Sequence, residues 1–379
     1  MRVMGLMSGT SADGVDAVLA EFEGPPARPR WRILASAAHP YTPDLRQRLI
    51  QAGQGEPLEA SAWLELAEAV TEVQAEAALR CDPRGQAQLV GCHGQTVWHR
   101  PPAPERRGAS WQLLLGPLLA QRLSRPVIYD FRAADLALGG QGAPLVPATD
   151  AALLGRVGGW RALLNLGGIA NLTLLPPASG PDRLAAVRGW DCGPANTLLD
   201  LACQRFSEGQ RSFDADGAWA ATGQVVEPLI ERWLNEPYFQ QAPPKSTGRE
   251  LFGAADLERR LRDLTALLPA HSPADALAHL TALSAAAVAM DLRRGPLPVE
   301  LLVSGGGARN ATLMGELRRR CRGMRVRPLA ELGIADDQRE ALAFALLAWW
   351  NLRRHPGSLP SVTGAPRAAV LGVRAEPTG

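Results

Sequence analysis

Apolar and polar positions change period in a regular way along the chain. Arg2–Ser8 and Val15–Glu23 are apolar runs of strand length flanking the polar stretch "SGTSADG", and Trp31–Ala37 follows the loop "GPPARP". Helical spacing then takes over. Pro43–Ala52 is short, and within Pro57–Arg80 the residues Leu66, Ala69, Val70, Val73 and Ala77 recur three and four apart. "AQLVGC" is a buried strand that ends in a polar loop, and "PVIYDF" is another short strand. A second round opens with "RALLNLGGIANLTLL" at 161–175, again a strand, a Gly-centred turn and a strand, followed by the strand "LAAVRGWD". Helices dominate 194–294. Strand and helix alternate again through "VELLVSGGGARNATLMGELRRR", "MRVRPL" and a closing helix, Arg339–Leu352. Each half thus begins with a β–turn–β unit, a repeat of topology and not of sequence. The pattern predicts two α/β domains with a cleft between them.

Composition narrows the class. A length of 379 residues suits two domains, and 46% hydrophobic with 21% charged residues is ordinary for a globular chain. Basic and acidic residues nearly cancel at 40 against 38, and every basic residue is Arg except Lys245. The arginines are interleaved with acids, as in Glu105-Arg106-Arg107 and Glu258-Arg259-Arg260, and form no stripe, which argues against a nucleic-acid partner. Five cysteines without C-x-x-C spacing suggest neither a disulfide framework nor a zinc site and fit a reducing compartment. Ser8-Gly9-Thr10 breaks the first apolar run before it reaches signal-peptide length. "ALAFALLAWW" falls well short of the ~20 residues of a membrane span. A soluble cytoplasmic protein with no membrane association is expected.

Four segments place glycine and polar residues directly after predicted strands: "MSGTSADGVD", "LNLGGIANLT", "WDCGPAN" and "VSGGGARN". Strand ends are where α/β sheets bind ligands, although any one such segment alone reads as a plain turn. No G-x-x-x-x-G-K-[ST] occurs, and Gly5, Gly9 and Gly14 lack dinucleotide-binding spacing. An actin-like ATPase clamp does fit, in which one hairpin per domain holds the phosphates and a late Gly-Gly-Gly segment covers the adenosine. Ser8, Thr10 and Ser11 would add hydroxyl donors to the first hairpin. Asp13 or Asp16 could hold Mg²⁺, directly or through water.

"GLMSGTSADGVD", "GCHGQTVWH", "DFRAADLALGGQGAPLVP", "LNLGGIANLT", "WDCGPANTLLD", "FDADGAWAATG", "STGRELF", "VSGGGARN" and "EALAFALLAW" resemble, in order, the motifs of the anhydro-N-acetylmuramic acid kinase family. The resemblance runs from residue 4 to "VTGAPRAAVLG" near the end. It implies two actin-like (ribonuclease H-like) α/β domains flanking a central nucleotide and substrate cleft, spanning 1–133 with 350–379 and 134–349. It also implies a kinase that uses ATP and Mg to open 1,6-anhydro-N-acetylmuramic acid, forming N-acetylmuramic acid 6-phosphate. The nucleotide would lie on Gly9, Thr10, Ser11, Ala12, Asp13, Gly14, Val15 and Asp16, on Asn165, Gly167 and Gly168, and on Gly305, Gly306, Gly307 and Asn310. His93, Gln95, Arg132, Asp135 and Glu340 would meet the sugar, Asp191 would be the catalytic base, and a homodimer is implied.

Each residue also has a plainer reading. Asp191 ends a strand before "CGPAN", where it could face a cleft or cap the next helix, and Cys192 reads as packing. His93 could bind only loop backbone, and His99 reads as structural. Arg132 could grip the sugar's lactyl carboxylate and Asp135 a hydroxyl, or the two could pair at i, i+3. Gly139, Gly140 and Gly142 mark a hinge or a turn. Glu340 could serve the helix dipole, and Asp214 and Asp216 suggest an Asx-type turn. Thr247, Gly248 and Arg249 would border the substrate, and Lys245 reads as loop surface. Two departures from the family pattern are Ala12 for Met and "WDCGPAN" for "FDTGPGN", the second costing a hydroxyl beside Asp191. A conventional sugar kinase without ring opening and a non-catalytic sugar-sensing module are the alternatives.

Overall fold

The first apolar runs pair as their pattern requires. β1 (Arg2–Ser8), β2 (Gly14–Glu23) and β3 (Arg30–Pro40) form an antiparallel meander, and β4 (Leu89–Arg100) lies parallel to β1 on its other side. β5 (Ala109–Leu113) pairs antiparallel with the far end of β4, and β6 (Val127–Tyr129) runs parallel to its start. The C-terminal strand Val373–Ala375 closes that edge. β1 is buried from Val3 to Ser8, the signature of a strand covered on both faces. On one face Met4 and Leu6 join Leu66 and Val70 of the helix Ala60–Cys81. On the other lies the helix Arg339–Leu352, whose residues Ala341–Trp350 are all buried.

That second contact is made by backbone against backbone. A Cβ built on Gly5 would fall on the carbonyl oxygen of Ala341 and within 2.8 Å of Ala345 N. One on Gly91 would fall on the carbonyl of Phe344 and within 2.8 Å of Ala348 Cβ. Glycine in β1 and β4 therefore sets how closely the helix can lie on the sheet.

The computed structural model describes residues 1–378 apart from Arg156, Pro244 and Arg249. Its two units are Met1–Leu154 with Asp337–Gly379, and Gly155–Asp336. These divisions differ from those expected at 133/134 and 349/350. The helix Arg339–Leu352 stays with the first unit because it packs on β1 and β4, and Arg339 holds the helix Val146–Leu154 there through a 2.5 Å ion pair with Asp150.

The second unit repeats the scheme with β7 (Arg161–Leu166), β8 (Ile169–Leu175), β9 (Arg188–Pro194), β10 (Glu300–Ser304) and β11 (Arg325–Pro328). Its order is β11-β10-β7-β8-β9, against β6-β4-β1-β2-β3 in the first sheet. In the first sheet β1–β3 are antiparallel and β4 and β6 run parallel to β1; in the second β7–β9 are antiparallel and β10 and β11 run parallel to β7. The expected pair of ribonuclease H-like α/β domains is what forms. One difference is local: β4 continues through His93 to Arg100, where a polar loop was expected, because β5 supplies a partner.

The helix Pro273–Leu292 is apolar on nearly every side, and its most apolar 18-residue window has a mean hydropathy of 1.2. That window is 89% buried inside the fold, which makes it a core helix of the second unit. Ser272 and Asp275 close a reciprocal capping box at its start.

Gly5→Val should destabilise the protein by about 3 kcal/mol, since the obstruction is backbone that cannot rotate away. Gly315→Ala, at an exposed position of the helix Ala311–Arg320 with nothing within 4 Å of the added carbon, should instead stabilise by about 1 kcal/mol. Urea midpoints of the two variants check both signs.

Candidate active site

In the first unit the turn between β1 and β2 is braced from β4. Ser8 Oγ lies 2.8 Å from the Gly14 carbonyl and 2.6 Å from Gln95 Oε1. Gln95 Nε2 donates to the carbonyls of Gly9 at 3.1 Å and Thr96 at 3.2 Å. Gln95 is buried, with both Nε2 hydrogens and one Oε1 lone pair directed at the hairpin or its own strand, so it shapes the hairpin where a sugar contact was expected. Thr10, Ser11 and Asp13 are exposed at the tip, while Ala12 and Val15 turn their side chains into the core and leave only backbone to a ligand. A cavity of about 360 Å³ opens here, lined by Gly9, Ser11, Asp13, Gly14, Asp16 and Glu340 among others.

The recess is acidic. Burial, then the charges of Asp337, Glu340 and Asp13, push the Asp16 carboxyl up to about 6. Burial also raises Glu340, opposed by Arg339 and Arg132. Exposed Asp13 pairs with Arg46 at 3.1 Å, which leaves Asp16 and Glu340 as the acids facing the recess. Among the described residues no group of three or more His, Cys, Asp or Glu is arranged to hold a metal ion. A divalent cation here would keep most of its water and share phosphate oxygens, which suits Mg²⁺.

His93 and Arg132 act as a pair. His93 Nδ1 lies 2.9 Å from the Gly94 carbonyl and so must donate, which leaves Nε2 to accept from Arg132 Nη2 at 2.9 Å. Burial, then the Arg132 charge, lowers the His93 pKa to about 3, and the ring packs 4.7 Å from Phe344. Arg132 Nη1 donates to the Gly142 carbonyl at 2.7 Å, and Glu340 is the acid whose charge favours the guanidinium. Asp135 is fully buried, accepting from Gly142 N and from Thr363 Oγ1, each at 2.8 Å. Arg132 and Asp135 thus grip the carbonyl and the N–H of the same glycine. Neither the expected sugar hydroxyl contact at Asp135 nor the alternative Arg132–Asp135 pair matches this arrangement. Arg132 keeps free donors, and Asp135 is a clamp.

In the second unit Asp191 sits on β9 opposite Asn171 of β8. Asn171 Nδ2 donates to Oδ1 at 2.9 Å, while Ser246 Oγ and Thr247 N donate to Oδ2, each at 3.0 Å. Asp191 N donates to the Lys245 carbonyl at 2.9 Å, and Tyr238 Oη donates to the Asp191 carbonyl at 2.8 Å. The next helix, Asn196–Phe206, is capped at Ala195, so Asp191 is no helix cap. Oδ2 has both lone pairs occupied, whereas Oδ1 keeps one open. Asn171, Tyr238 and Ser246 escaped sequence reading. An Asn inside the apolar run "IANLTLL" was the available signal.

Cys192 is fully buried beside Asp291, and burial drives its thiol pKa well above the ordinary value, as a packing role requires. The lost threonine hydroxyl would therefore lie toward Asp291, and Ser246 supplies the hydroxyl on the Asp191 carboxylate. Lys245 is not loop surface. Its Nζ is buried 3.1 Å from both Asp291 oxygens. Arg249 lies outside the described residues.

The other glycine segments of this unit converge. The Gly167 and Gly168 carbonyls accept the first N–H groups around the helix Asn196–Phe206 at 2.9–3.1 Å. Gly305, at φ +83°, would place a Cβ 2.6 Å from Asn165 Oδ1, and its N donates to Asp336 at 3.1 Å. A cavity of about 320 Å³ beside them is lined by Asn196, Asp214, Asp216, Gly306, Arg309 and Asn310 among others. Asn310 also caps the helix Ala311–Arg320 through Leu313 N at 2.9 Å. Asp214 accepts from Trp219 and Ala220 N, five and six residues on, which ties down the following turn in place of the expected Asx-type turn, while exposed Asp216 extends the cavity wall.

Because the folded state holds His93 neutral, the unfolded chain binds its proton first as pH falls below 6.5, and stability drops from there toward pH 3. ¹⁵N spectra should show this ring unprotonated at pH 5, and His93→Gln should flatten the acid side of the stability curve.

Comparison with known proteins agrees along the full length. The family model described as anhydro-N-acetylmuramic acid kinase matches residues 1–376. Proteins of that name from Prochlorococcus marinus (strain MIT 9303) and Synechococcus sp. (strain CC9605) are each 64% identical over 382 residues, covering 100% of both chains. Among solved structures, xylulose kinase from Rhodospirillum rubrum superposes with a TM-score of 0.46 at 14% identity, over 100% of this chain and 94% of its own. That likeness is too distant to bear on chemistry. With a matching family model over nearly every residue and near two-thirds identity to its members, this chain belongs to the anhydro-N-acetylmuramic acid kinases, ATP-using enzymes that phosphorylate a small sugar.

Proposed function

We propose that the enzyme hydrolytically opens the 1,6-anhydro ring of 1,6-anhydro-N-acetylmuramic acid while phosphorylating it, yielding N-acetylmuramic acid 6-phosphate and ADP. The place for this reaction is cell-wall recycling and amino-sugar breakdown in the cytoplasm. One observation supports it above others: a carboxylate within β9, fixed by three donors, with a single lone pair of Oδ1 left open.

In this mechanism water gives a proton to Asp191 Oδ1 as its oxygen bonds to the anomeric carbon. The bond from that carbon to the bridging oxygen breaks. The bridging oxygen stays on C6 and takes the γ-phosphoryl group as ADP leaves. Asn171, Ser246 and Thr247 keep the base from rotating away from the water. Arg132, aimed by neutral His93, holds the lactyl carboxylate of the sugar through its remaining donors, and Glu340 accepts a sugar hydroxyl.

Within the first unit Gly9–Asp16 offers backbone N–H groups and hydroxyls to phosphate; within the second, Asn165–Gly168 offers backbone N–H groups to phosphate and the cavity beside Gly305–Gly307 takes the adenosine. Asp16 would hold Mg²⁺ through water, since a cation would offset both the burial and the neighbouring negative charges that raise its carboxyl. Bound there, the ion neutralises charge on the transferring phosphoryl group.

Asp191→Asn keeps the size and hydrogen-bonding reach of the side chain but cannot take the proton. Turnover of the anhydro sugar, followed as ADP release, should fall about 10³-fold, while calorimetric ATP affinity stays within about twofold. Near-normal turnover by this variant would refute the assignment of the base.

A further inference from the structure

Asp191 is oriented from a segment, 245–247, with no regular secondary structure of its own. Its fixed point is Lys245, the only lysine of the chain. Lys245 Nζ contacts both oxygens of Asp291 at 3.1 Å and lies 4.9 Å above the Tyr238 ring, with the Tyr238 carbonyl 3.5 Å away. The side chains of Lys245 and Asp291 are 2% and 0% exposed. Asp291 also accepts from Trp190 Nε1 at 3.1 Å and Arg294 Nη1 at 3.2 Å, and the Cys192 thiol faces it. It therefore holds the two neighbours of Asp191 on β9 together with the residue that begins the orienting segment. From Lys245 onward each residue touches the base: the carbonyl of Lys245 accepts from Asp191 N, then Ser246 Oγ and Thr247 N reach Oδ2. Tyr238, stacked on the ammonium, binds the Asp191 carbonyl.

We infer that the buried Lys245–Asp291 pair is a positioning device for the catalytic base, setting the rotamer of Asp191 through segment 245–247 without touching the substrate. This rests on Asp191 being the base. A buried ion pair is a weak source of stability, because desolvation offsets most of its attraction, whereas its fixed geometry suits holding one conformation. A shift of the base by about 1 Å can cost about 10²-fold in rate.

Two variants and one label test the inference. Asp291→Asn should lower kcat about 10²-fold and leave the KM for ATP within about twofold. Ser246→Ala, an exposed position whose change leaves the core intact, should lower kcat about tenfold. An acetylating N-hydroxysuccinimide ester, read by peptide mass spectrometry against the α-amino group, should spare Lys245 in the unaltered protein. In Asp291→Asn the same label should reach it at least tenfold faster. The proposal is overturned if Asp291→Asn exposes Lys245 to the label yet turns over normally, or if Ser246→Ala keeps the full kcat. Should Asp291→Asn fail to fold, Ser246→Ala decides alone. An inactive Asp191→Asn beside fully active Asp291→Asn and Ser246→Ala would remove only the positioning role. An active Asp191→Asn would instead remove the base.

Discussion

How closely the helix Arg339–Leu352 can lie on β1 and β4 is the constraint on which the first unit depends. At Gly5 and Gly91 the helix backbone occupies the space of a side chain, and that approach presents Glu340 at the strand ends. It also brings Phe344 onto His93, 4.7 Å away, and onto Phe131, 5.3 Å away. Sealed from water in this way, His93 stays neutral and must accept at Nε2, which is what aims Arg132. Close packing by glycine is thus converted into a charged group held in one direction.

The second unit reaches a similar end by polar means. Its core helix Pro273–Leu292 is almost wholly apolar, yet it carries Asp291 to the back of β9. One buried carboxylate gathers Trp190, Lys245 and Arg294, and Asp191 is presented on the opposite side of the same strand. Successive strand residues point to opposite faces, so residues 190 and 192 anchor the strand while 191 is offered to chemistry.

Much of this was legible in the sequence where the signal was local. The two strand–Gly-turn–strand units stand in plain pattern, and Asp191 after an apolar strand was placed by its motif. Residues whose partners are distant in the chain were misread. Lys245, in "PPKST", has the composition of a surface loop, and nothing near it announces Asp291, 46 residues away. Gln95 and Asp135 look like ligand contacts because they are polar residues in a polar motif. Their partners Ser8 and Thr363 lie 87 and 228 residues off, and only the folded chain shows that both are buried and bonded to the fold. The unit boundary was missed for a related reason: the closing helix belongs to the sheet it packs on, and the glycines that permit this sit in the first hundred residues.

What sets the proposed chemistry apart from an ordinary sugar kinase is the water that Asp191 activates. Turnover of the anhydro sugar with Mg-ATP in H₂¹⁸O, followed by mass spectrometry of the products, tests it directly. One ¹⁸O on the anomeric carbon of a phosphorylated sugar, with none in the phosphoryl group, is the expected result. A phosphorylated product that carries no label on that carbon would contradict it.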